Sequence, residues 1–244
     1  MGLTREAIVQ ALDTVAQSEP AIARAIAIAG YPEARIRDRG YATLLRTIVG
    51  QQVSVAAAAY GGVHVCNVSP GAAPDVLPFT GSLLALAISP DRRWAASGNQ
   101  DATLHVWRVG KQGEELAMSG YPTKISALAF SPDSKLLASA GGQNVTVWDF
   151  SGAGPRGSTP RILSAHAETA TALEWSADGS LLAACAADGR AAVWRPALAV
   201  PGRPLSASDE VHRQSPATAV CWDRSGRLLV GWSDGTVAAH QVSG

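Results

Sequence analysis

Apolar residues change their spacing once along this chain, at the alanine run Ala56–Ala59. Before the run they recur at steps of three and four, the signature of helix faces. Ile8, Leu12 and Val15, behind the capping residue Thr4 and with Glu6 in the first turn, predict one amphipathic helix. Ile22, Ala25, Ile26 and Ala29, entered at Pro20 and stopped at Gly30, predict a second. Leu44, Leu45, Ile48 and Val49 form the stripe of a third, Tyr41 to about Gly50, and a fourth is expected to start at Ser54. After the run the pattern is one of short strands. Leu104 and Val106 alternate with His105 and Trp107, a period of two, while Leu136 to Ala140 and Leu181 to Cys185 are continuous apolar runs.

The second pattern repeats. Ala85-Leu86-Ala87-Ile88-Ser89-Pro90-Asp91 returns as Ala127 to Asp133, as Ala172 to Gly179 and as Ala219 to Gly226, with Ser89, Ser131, Ser176 and Asp223 in register at steps of 42, 45 and 47 residues. Each copy reads as a strand entering a tight turn, where Pro fixes one corner and Asp or Gly completes it. Asp188-Gly189 and Asp234-Gly235 mark a second reversal, after which a third strand closes on Cys66, Trp107, Trp148, Trp194 and His240. Steps of 41 and 46 between those closing residues match the 40–45 residues of a propeller blade.

These residues give residues 60–244 a resemblance to the WD-repeat β-propeller family, with Trp148-Asp149 the literal WD pair and Trp107-Arg108 and Trp194-Arg195 degenerate versions. The resemblance implies a mainly β fold: an incomplete arc of about four to five blades preceded by a short α-helical segment. It also implies that Trp107, Trp148, Asp149, His166, Asp188 and Trp194 are structural register positions. His166, Asp188 and Trp194 fall where the family's hydrogen-bond network sits, with Ala184 or Cys185 in place of its serine, so at most one blade is expected to keep part of it. Such repeats serve as interaction scaffolds, so protein partners are expected, and open edges at the ends of an arc invite self-association.

Ahead of the seam, the run from Tyr41 to Ala56, with Ile48-Val49-Gly50-Gln51-Gln52-Val53-Ser54 at its centre, resembles the helix-turn-helix entry of 3-methyladenine DNA glycosylases, of the helix-hairpin-helix superfamily. By that resemblance Gln51 and Gln52 face the DNA minor groove, Gln52 matching the wedge that helps evict a damaged base. By their local setting alone they cap and bridge two helices. The family's glycine-rich hairpin and catalytic aspartate find no match downstream, so residues 1–59 read as a truncated, non-catalytic segment, and DNA contact is expected through that segment alone. A DNA-repair protein and a join between two genes are the alternatives to a scaffold with a helical prefix.

Composition sharpens the seam. Residues 1–59 contain no Trp, Phe, Cys, His or Lys. Twenty basic side chains balance twenty acidic ones, so no long-range field favours nucleic acid or an anionic membrane. Three lysines among the basic residues and abundant alanine suggest a bacterial, GC-rich source. The start is charged and amphipathic and no stretch reaches the ~18 apolar residues of a spanning helix, so a cytoplasmic protein is expected. Cys66, Cys185 and Cys221 read as buried reduced thiols. His64 and His105 share a blade position but lack further ligands, and Ser164, His166 and Asp188 read as loop and network residues, so no metal, cofactor or catalytic residue is expected. Arg92, Arg93, Lys135, Arg224 and Arg227 follow turns on one rim. Gly152 to Pro160 and Pro196 to Ser208 read as flexible outer loops.

Overall fold

The computed structural model describes residues 5–18, 26–27, 56–59, 62–65, 75–79, 81–111 and 113–242. The chain divides into two compact units, Met1–Leu45 and Arg46–Gly244. In the first, α1 (Arg5–Ser18) is the amphipathic helix expected from the spacing of Ile8, Leu12 and Val15. Residues 26–27, inside the second expected helix, are helical. The rest of that helix, the whole of the third and the turn residues Gln51 and Gln52 that follow it lie outside the described residues.

Every described strand belongs to the second unit, a partial β-propeller whose described residues form five sheets, antiparallel but for one strand pair. The first sheet is β1 (Ala56–Ala59), β2 (Gly62–Val65) and β3 (Asp75–Leu77). Here one expectation is corrected: Ala56–Ala59 does not continue a helix from Ser54 but pairs with β2, Ala56 opposite Val65 and Ala59 opposite Gly62. Alanine is a strong helix former, but four residues gain too little from helix propagation to outweigh a complete ladder with a neighbouring strand. The structural division at Leu45 therefore comes earlier in the chain than the compositional seam.

The second sheet is β4 (Leu83–Ile88), β5 (Trp94–Asn99), β6 (Leu104–Arg108) and β7 (Glu115–Met118). The third is β8 (Ala127–Phe130), β9 (Leu136–Ala140), β10 (Asn144–Asp149) and β11 (Arg161–Ser164). The fourth is β12 (Ala170–Trp175), β13 (Leu182–Ala186), β14 (Arg190–Trp194) and β16 (Asp209–His212), and the fifth is β17 (Ala217–Trp222), β18 (Leu228–Trp232) and β19 (Val237–His240). The segment from Pro196 departs from its expectation as a flexible loop. It forms a short 3-10 helix, Pro196–Leu198, and then strand β15 (Pro204–Ser206), which pairs in parallel with β11 of the preceding sheet before β16 returns to its own. One connection thus ties two sheets together.

The first strands of successive sheets, β4, β8, β12 and β17, lie side by side, and among the described residues no comparable packing joins β17 back to β1 or β4. The core lies between sheets. Ala138, Val147, Leu163 and the first-strand residue Leu173 pack with Leu182 and Trp194 between the third and fourth. Ala183, Val193, Val220 and Trp232 fill the next interface. Trp94, Val106, Leu137 and Phe150 fill the one between the second and third sheets, and Val63, Leu77, Ala95 and Trp107 the one before it. Short apolar second strands are what this geometry demands, because both faces of a middle strand are covered: β5 and β13 are buried along their whole length.

Candidate functional site

Register places four of the five expected closing residues identically, and the fifth, Cys66, lies outside the described residues. Trp107 pairs with Ala95, Trp148 with Leu137, Trp194 with Leu182 and His240 with Leu228. Two residues further along each second strand stand Ser97, Ser139, Ala184 and Val230. Among the described residues only the third sheet links the closing residue to that position by side-chain hydrogen bonds. Trp148 Nε1 donates to the Tyr121 hydroxyl at 2.7 Å, that hydroxyl meets Ser139 Oγ at 2.7 Å, and Ser139 Oγ donates to the Thr146 carbonyl at 3.1 Å. Burial raises the Tyr121 pKa, opposed by its bonds to Ser139 and Trp148.

The same positions degrade in the neighbouring sheets for identifiable reasons. In the second, Phe79 packs edge-on against Trp107, 6.3 Å between centroids, and Ser97 turns to Asn99 at 3.0 Å. Phenylalanine offers no acceptor, and Trp107 Nε1 is buried without a partner. In the fourth, His166 packs edge-on against Trp194 at 5.8 Å, but Ala184 supplies no hydroxyl. His166 Nδ1 lies 3.7 Å from Asp188 Oδ1, beyond hydrogen-bond reach, and both ring nitrogens and Trp194 Nε1 are left unpartnered. Burial lowers the His166 pKa, the Asp188 charge opposes that, and Arg190 adds to it. Asp188 itself accepts the backbone N–H groups of Ala167 at 2.7 Å and Arg190 at 2.9 Å, which closes the turn.

Turns on the opposite rim share one device. Ser89, Ser131 and Ser176 each donate a hydroxyl to Asp91, Asp133 and Asp178 at 2.6–2.7 Å and accept the backbone N–H of Trp94, Leu136 and Leu181. In the last copy the residue types are exchanged: Ser225 donates to Asp223, which also accepts the backbone N–H of Arg227. The Ser176 hydroxyl and the Ser180 backbone N–H hold Asp178 down to about 2. Asp223 is held lower still by Ser225 and Arg227.

Bonds between sheets are a feature the repeat phrase did not reveal. Trp175 Nε1 donates to the Ala129 carbonyl, Trp222 Nε1 to Glu174, and Trp232 Nε1 to Gly189. Thr171 Oγ1 reaches the Ala217 carbonyl at 3.1 Å, as Ser126 Oγ reaches Ala170 at 3.4 Å. The signal available in the sequence was Trp175 and Trp222 at one repeat position. Tyr121 had none: Phe79, Tyr121 and His166 each stand ten residues before the turn serines Ser89, Ser131 and Ser176, and three different side chains form no visible pattern.

The residues weighed for chemistry fall as follows. His105 contacts Glu115 and stacks against Phe79 at 4.6 Å, while the side chain of His64 is outside the described set. Among the described residues no three His, Cys, Asp or Glu side chains form a metal-binding group. Ser164 gives no hydrogen bond to His166, whose ring nitrogens have none. Cys185 is buried, its pKa raised to about 11 by burial, but Cys221 is exposed rather than buried as expected, because its strand turns that face outward. Lys135 pairs with Asp133 at 3.4 Å and Arg227 with Asp223 at 2.8 Å, while Arg92 and Arg93 are exposed. Asp149 accepts the Ser151 backbone N–H at 2.9 Å and lies 3.5 Å from Arg161 Nη2. Burial would raise its pKa, but Ser151 and Arg161 hold it below the ordinary value.

Three stretches, residues 76–108, 114–149 and 157–195, match the family model of the WD domain, G-beta repeat. Each of the three is similar to a WD repeat. They coincide with the outer strand of one sheet and the first three strands of the next, as the propeller register requires. Over 118 residues the chain is 34% identical to small ribosomal subunit protein RACK1y of Oryza sativa subsp. japonica, covering 47% of this chain and 35% of that protein. It is 30% identical over 129 residues to small ribosomal subunit protein RACK1 of Schizosaccharomyces pombe, covering 48% and 38%. Coronin-7 of Homo sapiens is 31% identical over 141 residues, covering 52% and 15%. The chain spans less than two fifths of the length of these relatives. The crystal structure of the computationally designed Ika4 protein superimposes with a TM-score of 0.54 at 25% identity, covering 69% of this chain and 96% of that one. Among the described residues no helix is long and apolar enough to cross a membrane.

Proposed function

We propose that this chain is a protein-interaction scaffold whose working surface is the outer strands and loops of its WD repeats. The observation that carries the reading is where the polar side chains go. Serines, threonines, aspartates and tryptophan N–H groups of the inner strands and turns bond to their own turns and to the next sheet, and none converges on a common reacting point. Trp107, Trp148, Asp149, His166, Asp188 and Trp194 are then framework residues. The relatives named as small ribosomal subunit proteins support a role in assembly with macromolecules.

The full chain, immobilised and exposed to cell extract, is expected to retain a protein that rebinds saturably when purified. Absence of any saturable protein partner overturns the reading. Self-association through the first and last sheets belongs to the same proposal, and sedimentation of the full chain across a concentration series checks it.

A second reading, a DNA-contacting prefix inherited from a glycosylase, rests on the run Tyr41 to Ala56 with Gln51 and Gln52. Its support is that run alone, most of which, with Gln51 and Gln52, belongs to the unit Arg46–Gly244. Release of methylated bases from alkylated duplex DNA above a protein-free control would replace the non-catalytic view of residues 1–59. A long sequencing read across the junction tests whether the join with residues 60–244 is a fusion of two genes.

A further inference from the structure

Between β10 and β11 the chain loops outward, and with the connection after β14 it walls a cleft of about 410 Å³ lined by Asp149, Ser151, Ser158, Thr159, Arg161 and Pro201. Two properties of this cleft are not explained by the fold. Arg161 has a donor its surroundings do not use: Nε is buried without a partner, while Nη2 lies 3.5 Å from Asp149 Oδ2, the other oxygen of that carboxylate being engaged by the backbone N–H and hydroxyl of Ser151. A guanidinium whose Nε–H is shielded from water and unmatched lacks an acceptor.

The charge around it leans the same way. Arg156 lies in the wall loop, and Arg203 follows Gly202, whose N–H donates to the carbonyl of Pro160 beside Arg161. Both are exposed and have no ion-pair partner among the described residues, and Asp149 is the one carboxylate of the lining. An acidic ligand is the complement of Arg161 with these two cations on the flanking chain.

The second property is apolar. Leu198 is 66% exposed and Val200 58%, two of the five large apolar side chains that the described residues expose. They are not on a loose loop. Pro196 and Ala199 are buried on either side, the 3-10 helix fixes the backbone, and β15 anchors the far end on β11. The connection therefore holds Leu198 and Val200 out in water in the stretch of chain that leads into Pro201, the apolar wall of the cleft, and neither lines the cleft itself.

We propose that this cleft docks an extended acidic segment of a partner protein. A glutamate or aspartate carboxylate reaches Arg161, and an apolar residue next to it covers Leu198 and Val200. The proposal rests on the scaffold reading and names the chemistry of one of its contact surfaces.

The test uses the full chain and a fluorescein-labelled peptide of alternating glutamate and leucine, read by fluorescence anisotropy. Saturable binding that weakens with added salt is expected, together with a loss of about ten-fold or more for Arg161→Lys and for Leu198→Ser. Both variants are expected to melt as the parent does. Leu198→Ser, at an exposed position, keeps the test sharp if the arginine change perturbs folding. No saturable binding, equal binding of the glutamine-for-glutamate peptide, or indifference to Leu198→Ser overturns the proposal. Binding by a phosphoserine-for-glutamate peptide alone overturns it in favour of a phosphate ligand. If a captured partner binds parent and Leu198→Ser chains equally, the cleft proposal fails while the scaffold stands. If no partner is captured at all, the scaffold reading fails.

Discussion

Ala184 decides the state of a buried polar cluster with three unpartnered nitrogens. It occupies the position that Ser139 fills in the preceding sheet, and without an oxygen there His166 and Trp194 Nε1 remain buried and unsatisfied. A hydroxyl is tolerated at this register position in two other sheets, so Ala184→Ser is expected to raise stability by about 1 kcal/mol, read as a higher melting temperature. A lower one would mean that the site has no room. Ser139→Ala runs the other way, leaving the Tyr121 hydroxyl short of a partner, and is expected to cost about 1–3 kcal/mol in chemical denaturation. His166 adds a pH dependence with a definite sign. Its folded pKa lies below the ordinary 6.5, so the unfolded chain binds the proton more readily, and the stability it contributes is complete above that value and lost as pH falls below it. Asp188, which favours the proton, and Arg190, which opposes it, face the ring. Melting temperatures at pH about 7.5 and about 5.5 should differ less in His166→Phe than in the parent; an unchanged difference refutes the assignment.

At the scale of elements, the serine–aspartate turn is the unit that makes each hairpin, and its chemistry predicts acid behaviour. Asp178, in such a turn, and Asp234, held by Thr236 and Ser215 in the reversal between β18 and β19, are kept at about 2 in the folded chain, below the ordinary 3.8, so their contribution is present above 3.8 and disappears as pH falls through about 2. Asp178→Asn is expected to flatten part of the acid limb of unfolding followed by circular dichroism. An unaltered limb would show that the turn survives protonation. These turns were legible in the sequence because Pro, Asp and Gly carry their conformational preferences locally. The exchange of Ser and Asp at Asp223 and Ser225 was legible only as a gap in the pattern, since a bond between two side chains is indifferent to which end supplies the proton. Ala56–Ala59 misled for the opposite reason: alanine has a helix preference but no side chain that declares a face, and the partner strand decided. The segment after Pro196 looked loose because Pro, Gly and Ser dominate it, yet its parallel pairing with β11 depends on a strand from another sheet that no local pattern announces. The cleft is beyond sequence reading on the same ground, for Arg161 and Pro201 meet only through that pairing.

Taken whole, the propeller unit is a row of interfaces in which each sheet packs on its neighbours, and stability should be distributed accordingly. The third and fourth sheets have a full neighbour on both sides, and the strands between their clusters are the most completely covered: β13 is buried throughout, and Leu137, Ala138, Val145 and Val147 of β9 and β10 are inaccessible. The fifth sheet has one such neighbour. Its last strand, β19, alternates exposed and half-buried positions, with Val237 64% exposed and no further strand beside it among the described residues. Opening β19 uncovers little apolar surface, whereas opening β13 or β14 uncovers two clusters at once. Native-state amide exchange should therefore be slowest in β9, β10, β13 and β14 and clearly faster in β19, with β17 and β18 between. Trp194→Ala, which removes the largest wholly buried side chain, is expected to cost about 3–5 kcal/mol and to erase protection in the third and fourth sheets together. Uniform exchange across all sheets, or loss of protection confined to the fourth, would mean that the sheets do not couple through shared cores in this way.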